Sequence, residues 1–171
     1  QLSAGSYDYM IIDQNYCSYT NTVVITEPQN PLSTIINTTD VSCYNGNDGS
    51  AILTVNGGTP SYTINWQNSI SNQLSSGYHI YTVVDANSCV LEDSVYINQP
   101  SPIIVSEQIS DVLCYGSNNG SVNLQISGGV PNYTTDWLGF NNLSLYAGSY
   151  LYTVTDANSC IFSSIVTVNQ P

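Results

Sequence analysis

The chain has 171 residues with no Lys or Arg, twelve acidic residues and one His, a formal net charge of -12. A surface without cations cannot supply the basic footprint that nucleic acid requires or an attraction to anionic membrane surfaces. No nucleic-acid partner and no direct membrane insertion are therefore expected, and the scattered acids serve solubility. Without Lys, a Lys–Asn isopeptide cross-link is chemically impossible, so covalent reinforcement falls to the five cysteines.

In chain order, Tyr9-Met10-Ile11-Ile12-Asp13-Gln14-Asn15-Tyr16-Cys17 returns as Tyr81-Thr82-Val83-Val84-Asp85-Ala86-Asn87-Ser88-Cys89. It returns again as Tyr152-Thr153-Val154-Thr155-Asp156-Ala157-Asn158-Ser159-Cys160, at steps of 72 and 71 residues. A period of this size marks an array of repeated units. From the cysteine to a closing Pro (Pro28, Pro100, Pro171) is 11 residues in all three copies. The odd residue in the period therefore lies in the linkers Pro28–Pro31 and Pro100–Pro102. That places a truncated copy at 1–30, carrying only its second half, and complete repeats at 31–100 and 101–171. The chain reads as a window from a longer polypeptide. Proline restricts itself and its predecessor, so the joints are expected to be semi-rigid and the units to run end to end.

Within a complete copy the apolar period is two. Val122, Leu124 and Ile126 alternate with Asn123 and Gln125, and Ala51, Leu53 and Val55 hold the same places one copy earlier. The Gly57-Gly58-Thr59-Pro60 and Gly128-Gly129-Val130-Pro131 stretches are turns by composition. Tyr62, Ile64 and Trp66 then share a face, as do Tyr133, Thr135 and Trp137. No window carries a helical apolar stripe. Six or seven short strands per copy predict an all-β chain of tandem immunoglobulin-like β-sandwiches.

Cys43 and Cys89 are 46 residues apart, as are Cys114 and Cys160. Pairing within each unit treats both copies alike, giving Cys43–Cys89 and Cys114–Cys160 and leaving Cys17 to a partner upstream. Free buried thiols are the alternative. A sandwich of about 70 residues is marginal on core burial alone, and disulfides point to an oxidising, extracytoplasmic setting. Trp66 and Trp137 lie 23 residues from each paired cysteine, a place that suits a core Trp against a disulfide. The rival reading is an exposed aromatic platform for sugar rings, with fourteen Tyr in support.

Asp13, Asp85 and Asp156 head turns in which a carboxylate accepts backbone N–H groups two residues on. Asp48 with Asn45 and Asn47 could instead ligate calcium, but Asp48 becomes Asn119 one copy later, and no other metal or cofactor is indicated. His79 is the single His and no acid pair recurs, so no catalytic set is expected.

Taken in order, Val41-Ser42-Cys43, Asn47-Asp48-Gly49-Ser50, Asn56-Gly57-Gly58-Thr59-Pro60-Ser61-Tyr62, Trp66, Leu74-Ser75-Ser76-Gly77, Asp85-Ala86-Asn87-Ser88-Cys89 and Ile97-Asn98-Gln99-Pro100 resemble the SprB repeat of giant surface adhesins in gliding Bacteroidota. The last copy repeats the series from Cys114 through Gly128-Gly129 and Trp137 to Cys160. The Asn45 loop and the Asp13–Cys17 turn depart from the pattern. The resemblance implies a secreted, cell-surface stalk or filament, exported by the type IX route and used in adhesion or gliding. Its expected partners are other copies of the repeat, neighbouring filament chains and surface polysaccharide.

Overall fold

The computed structural model describes residues 1–28 and 30–171. Every element among them is a β-strand, joined into small antiparallel sheets. β1 (Gly5–Ile12) and β2 (Ser18–Ile25) form a hairpin whose register runs from Gly5 opposite Ile25 to Ile12 opposite Ser18. The middle copy supplies β3 (Ser33–Thr39), β4 (Ser50–Asn56), β5 (Thr63–Trp66), β6 (Gly77–Val84) and β7 (Val90–Ile97). The last copy supplies β8 (Ile104–Ser110), β9 (Ser121–Ser127), β10 (Thr134–Asp136), β11 (Gly148–Thr155) and β12 (Ile161–Val168). In each complete copy the first two strands pair and the last three form a second sheet with the long strand in the centre.

A copy thus has five strands, not the six or seven expected. The difference lies in stretches that bond too briefly to make a ladder. Leu74 and Leu145 form only isolated bridges, to Gly49 and Gly120, and the segments around them close turns such as Gln73 N to Ile70 O at 2.9 Å.

The described residues gather into two compact units. One comprises Gln1–Ile36, Leu53–Asn65 and Tyr81–Asp93; the other comprises Asn37–Ile52, Trp66–Ile80 and Ser94–Pro171. Residues 31–100, expected as one repeat, contribute to both.

The second unit shows how a copy makes its core. β8 and β9 pair from Ile104 opposite Ser127 to Ser110 opposite Ser121, and β11 and β12 from Gly148 opposite Val168 to Thr155 opposite Ile161. Side chains alternate across each strand, so one face of each sheet is apolar. Val122 from β9, Tyr152 and Val154 from β11, and Val166 and Val168 from β12 meet in one buried cluster with Leu145 and Trp137. Each such side chain stabilises the fold by roughly 1.5–3 kcal/mol on burial. Tyr152 keeps its hydroxyl satisfied by donating to Glu107 Oε1 at 2.6 Å. Burial, then the Glu107 hydrogen bond, pushes its pKa up to about 12.

Trp137 is a core residue, but it stacks on Tyr152, with ring centroids 5.1 Å apart, and not on a disulfide. Trp66 is only half-buried. In the first unit Tyr81 and Val83 are fully buried, and Tyr81 and Thr34 share a hydroxyl hydrogen bond of 2.8 Å. The hairpin β1–β2, by contrast, exposes Tyr9, Ile11 and Val23.

Candidate functional site

Two small devices are built in each complete copy, and one disulfide joins them. The first is the Asp-headed turn. Asp156 Oδ1 accepts the N–H groups of Asn158 and Cys160, both at 2.9 Å. Its Oδ2 accepts Val130 N at 2.9 Å from the Gly-Gly turn. Asp85 does the same with Asn87 at 2.9 Å, Cys89 at 2.8 Å and Thr59 at 2.8 Å. Asp13 keeps the two local bonds, to Asn15 at 2.8 Å and Cys17 at 2.9 Å.

Burial of Asp156 opposes ionisation, but its backbone bonds to Val130, Cys160 and Asn158 outweigh it and hold the carboxyl below the usual range. Asp85 is lowered chiefly by the Thr59 N–H. The glycine beside each carboxylate is required: Gly129 has φ +57°, and a Cβ there would lie 2.7 Å from Asp156 Oδ2. The Asx-turn reading of these residues thus describes their geometry, and the sheet adds a third donor that the turn sequence does not contain.

The second device is the loop bearing the first cysteine of each copy. Asp48 accepts Ser42 N at 3.0 Å and also takes the Ser42 hydroxyl, which lowers its pKa. Gly46 N donates to Cys43 O at 3.0 Å, and Asn45, with φ 59°, donates its N–H to Gln99 Oε1 at 2.8 Å. One copy later Leu113 N donates to Asn119 Oδ1 at 3.2 Å, Ser117 N to Cys114 O at 3.1 Å and Gly116 N to Gln170 Oε1 at 3.1 Å. Asn119 thus keeps the backbone bond that Asp48 makes, while Asp48 adds the Ser42 hydroxyl. The Asp48 carboxylate oxygens clamp the loop through Ser42, and among the described residues no group of three or more His, Cys, Asp or Glu is assembled.

The disulfide runs from Cys43 to Cys160, with Cα atoms 5.6 Å apart and a separation of 117 residues. Asn158 Nδ2 donates to Ser42 O at 3.0 Å beside it. This corrects the expected Cys43–Cys89 and Cys114–Cys160 pairs: Cys89 and Cys114, like Cys17, are free and exposed. The physical reason is which end of a copy each cysteine is tied to. The Cys43 loop is latched to Gln99, at the close of its copy. The Cys160 turn is bound through Val130 and Gly129 to Ser101, at the opening of its own. A closing end meets the opening end of the next copy, so the bridge spans one repeat more than the within-copy spacing.

The closing Asn-Gln-Pro motif was legible as a repeat, but its work was not. Asn98 N donates to Asp40 at 2.9 Å and Asn169 N to Asp111 at 2.8 Å, and the adjoining Gln holds the cysteine loop. Trp66 lines an open groove with Asn68, Gln73 and His79. His79 bonds Ser69 Oγ at 3.0 Å and Ser75 O at 2.8 Å.

No curated protein matches the chain. The SprB repeat model matches residues 35–69 and 106–142. Each match opens in the first strand of a complete copy and runs through the cysteine loop and the Gly-Gly turn past the Trp. The chain thus matches the SprB repeat at two places, and that family is associated with cell-surface proteins.

Proposed function

We propose that this segment is a tension-bearing spacer in a secreted cell-surface adhesin or filament, with length as its working quantity. The observation that carries the reading is the Cys43–Cys160 bridge. Pulled from its ends, the oxidised chain has a covalent path through residues 1–43, the disulfide and residues 160–171. Residues 44–159 lie off that path and release no length on unfolding. At about 3.5 Å per extended residue, the oxidised chain reaches roughly 190 Å and the reduced chain roughly 600 Å. Single-molecule extension with and without reductant measures both, and equal lengths would refute the reading. Such a bridge suits the oxidising exterior, while adhesion or gliding as the use of the stalk rests on the SprB resemblance.

A second reading is favoured by the Trp66 groove, which brings together an indole, Asn and Gln amides and an imidazole, the groups a sugar-binding surface uses. Specific retention of a glycan on an array, lost in Trp66→Ala, would replace the pure spacer by a binding module.

A further inference from the structure

The middle and last copies fill one place differently. Ser69 and His79 of the middle copy correspond, 71 residues on, to Phe140 and Tyr150 of the last, and all four belong to the second compact unit. The frames around them agree. Gln73 N donates to Ile70 O at 2.9 Å and Ser144 N to Asn141 O at 3.0 Å. Ala51 N donates to Ser71 O and Val122 N to Asn142 O, both at 2.8 Å. His79 Nε2 bonds Ser75 O at 2.8 Å, where the Tyr150 hydroxyl donates to Tyr146 O at 2.9 Å.

The fillings do not agree. Phe140 and Tyr150 pack edge to face with centroids 5.1 Å apart. Tyr150 joins Trp137 in the buried cluster, and Trp137 is only 7 % exposed. In the middle copy those two rings are replaced by a hydroxyl and a smaller imidazole. Beside them Trp66 lines an open groove of about 580 Å³, a size usual for small-molecule sites.

The polar wall changes as well. In the last copy Asn118 Nδ2 donates to Ser144 Oγ at 3.3 Å, and Ser144 Oγ donates to Asn118 O at 3.2 Å. The middle copy has Gln73 in place of Ser144, and Asn47, Asn68 and Gln73 line the groove. The Ser75 carbonyl can only accept, so in the neutral ring His79 Nε2 carries the hydrogen and Nδ1 accepts from the Ser69 hydroxyl. Two bonds thereby fix the orientation of the imidazole.

Among the described residues that line this groove none is Asp, Glu, Lys or Arg, and the whole chain carries a formal charge of -12. An anionic ligand would meet repulsion and no counter-charge, and a cation would find no carboxylate in the wall. A neutral ring with an apolar face and a hydroxyl rim meets an indole to pack against and amides that both donate and accept.

We infer that the exchange of two aromatic rings for Ser69 and His79 opens, in the middle copy, a site for a neutral hexopyranose unit of a polysaccharide. The sugar ring packs against Trp66 and its hydroxyls bond Asn47, Asn68 and Gln73. The inference rests on the glycan-binding reading and adds to it the copy, the sugar class and the residue pair that opens the site.

The test titrates the full chain with cellohexaose, maltohexaose and mannohexaose, and with hexagalacturonate as the anionic probe. Tryptophan fluorescence gives the affinity, and saturation-transfer NMR gives the sugar protons in contact. The expected result is saturable binding of at least one neutral probe at a single site, with hexagalacturonate weaker by about tenfold or more. Ser69→Phe with His79→Tyr, the pair the last copy carries, is expected to lower the affinity by about tenfold or more while the melting temperature holds or rises. Gln73→Ala is expected to lower it severalfold, and decides the point if the paired variant does not fold.

Binding of no probe overturns both this inference and the binding-module reading. Binding that keeps its strength in the paired variant, or in Gln73→Ala, puts the sugar elsewhere and overturns this inference alone. Hexagalacturonate held as tightly as the neutral probes overturns the sugar class. Self-association of the chain that the paired variant abolishes makes a second copy the occupant, and overturns the inference too.

Discussion

The hairpins β1–β2 and β11–β12 are nearly the same text: a long strand, an Asp-headed turn, a cysteine, and a strand closing on Pro. Both fold to the same register of eight paired residues, and both turns bond Asp Oδ1 to the same two backbone positions. They differ in what faces them. β11–β12 is covered by β8 and β9 and its cysteine is bridged, whereas β1–β2 presents its apolar side chains to solvent and Cys17 is free. The hairpin is a local product of turn chemistry, and the core exists only when the other half of a copy is laid against it.

The largest effect that could break this comparison is at the cysteines. Cys160→Ser opens a 117-residue loop and is expected to cost up to about 5 kcal/mol in urea unfolding, by chain entropy. Cys17→Ser is expected to stay within about 0.5 kcal/mol. Next come the tyrosines that share a place in the two hairpins. Tyr152→Ala, which leaves a cavity beside Trp137, is expected to cost about 3–4 kcal/mol, whereas Tyr9→Ala should cost less than about 1 kcal/mol. Equal losses at Tyr152 and Tyr9 would mean that the two faces are equally loaded, and the distinction would fall.

Gly129→Ala tests the turn's third donor. The residue has φ +57°, and its Cβ would meet Asp156 Oδ2 at 2.7 Å and Ile103 at 2.8 Å. A loss of about 1–3 kcal/mol in the same unfolding experiment is expected.

The smallest effects are in pH. Tyr152, raised to about 12, stays protonated in the fold while an unfolded phenol titrates near pH 10. Its contribution is complete below about pH 10 and lost as pH climbs toward 12. Tyr152→Phe should flatten that alkaline limb in a pH series of melting temperatures. Asp156 is lowered, so its contribution is present above the ordinary carboxylate range and falls away as pH drops through and below it. Asp156→Asn should flatten the acid limb in the same series.

Much of this was legible because its causes are short-range. The Asp-turn-Cys unit needs only residues within four positions of Asp85 or Asp156, and the alternation of Val122, Leu124 and Ile126 needs only the pleat. The change of Asp48 to Asn119 counted in the sequence only against calcium; that both oxygens clamp a loop N–H came from the fold. What was misread turned on which ends meet. Equal spacing of 46 residues in two copies is satisfied by pairing within a copy, but equally by pairing each copy to the next. Nothing local distinguishes them. Trp66 and Trp137 likewise hold the same place in the text, yet Trp137 is packed on Tyr152 and Trp66 stands half-open beside His79.

The sequence by itself therefore determined the repeat, its all-β character, the turn chemistry and the absence of any basic surface, since each follows from residue type and near-neighbour spacing. Only the tertiary structure decided that Cys43 bonds Cys160. The choice depends on Gln99 latching one cysteine to the close of its copy while Ser101 and Val130 hold the other at the opening of the next.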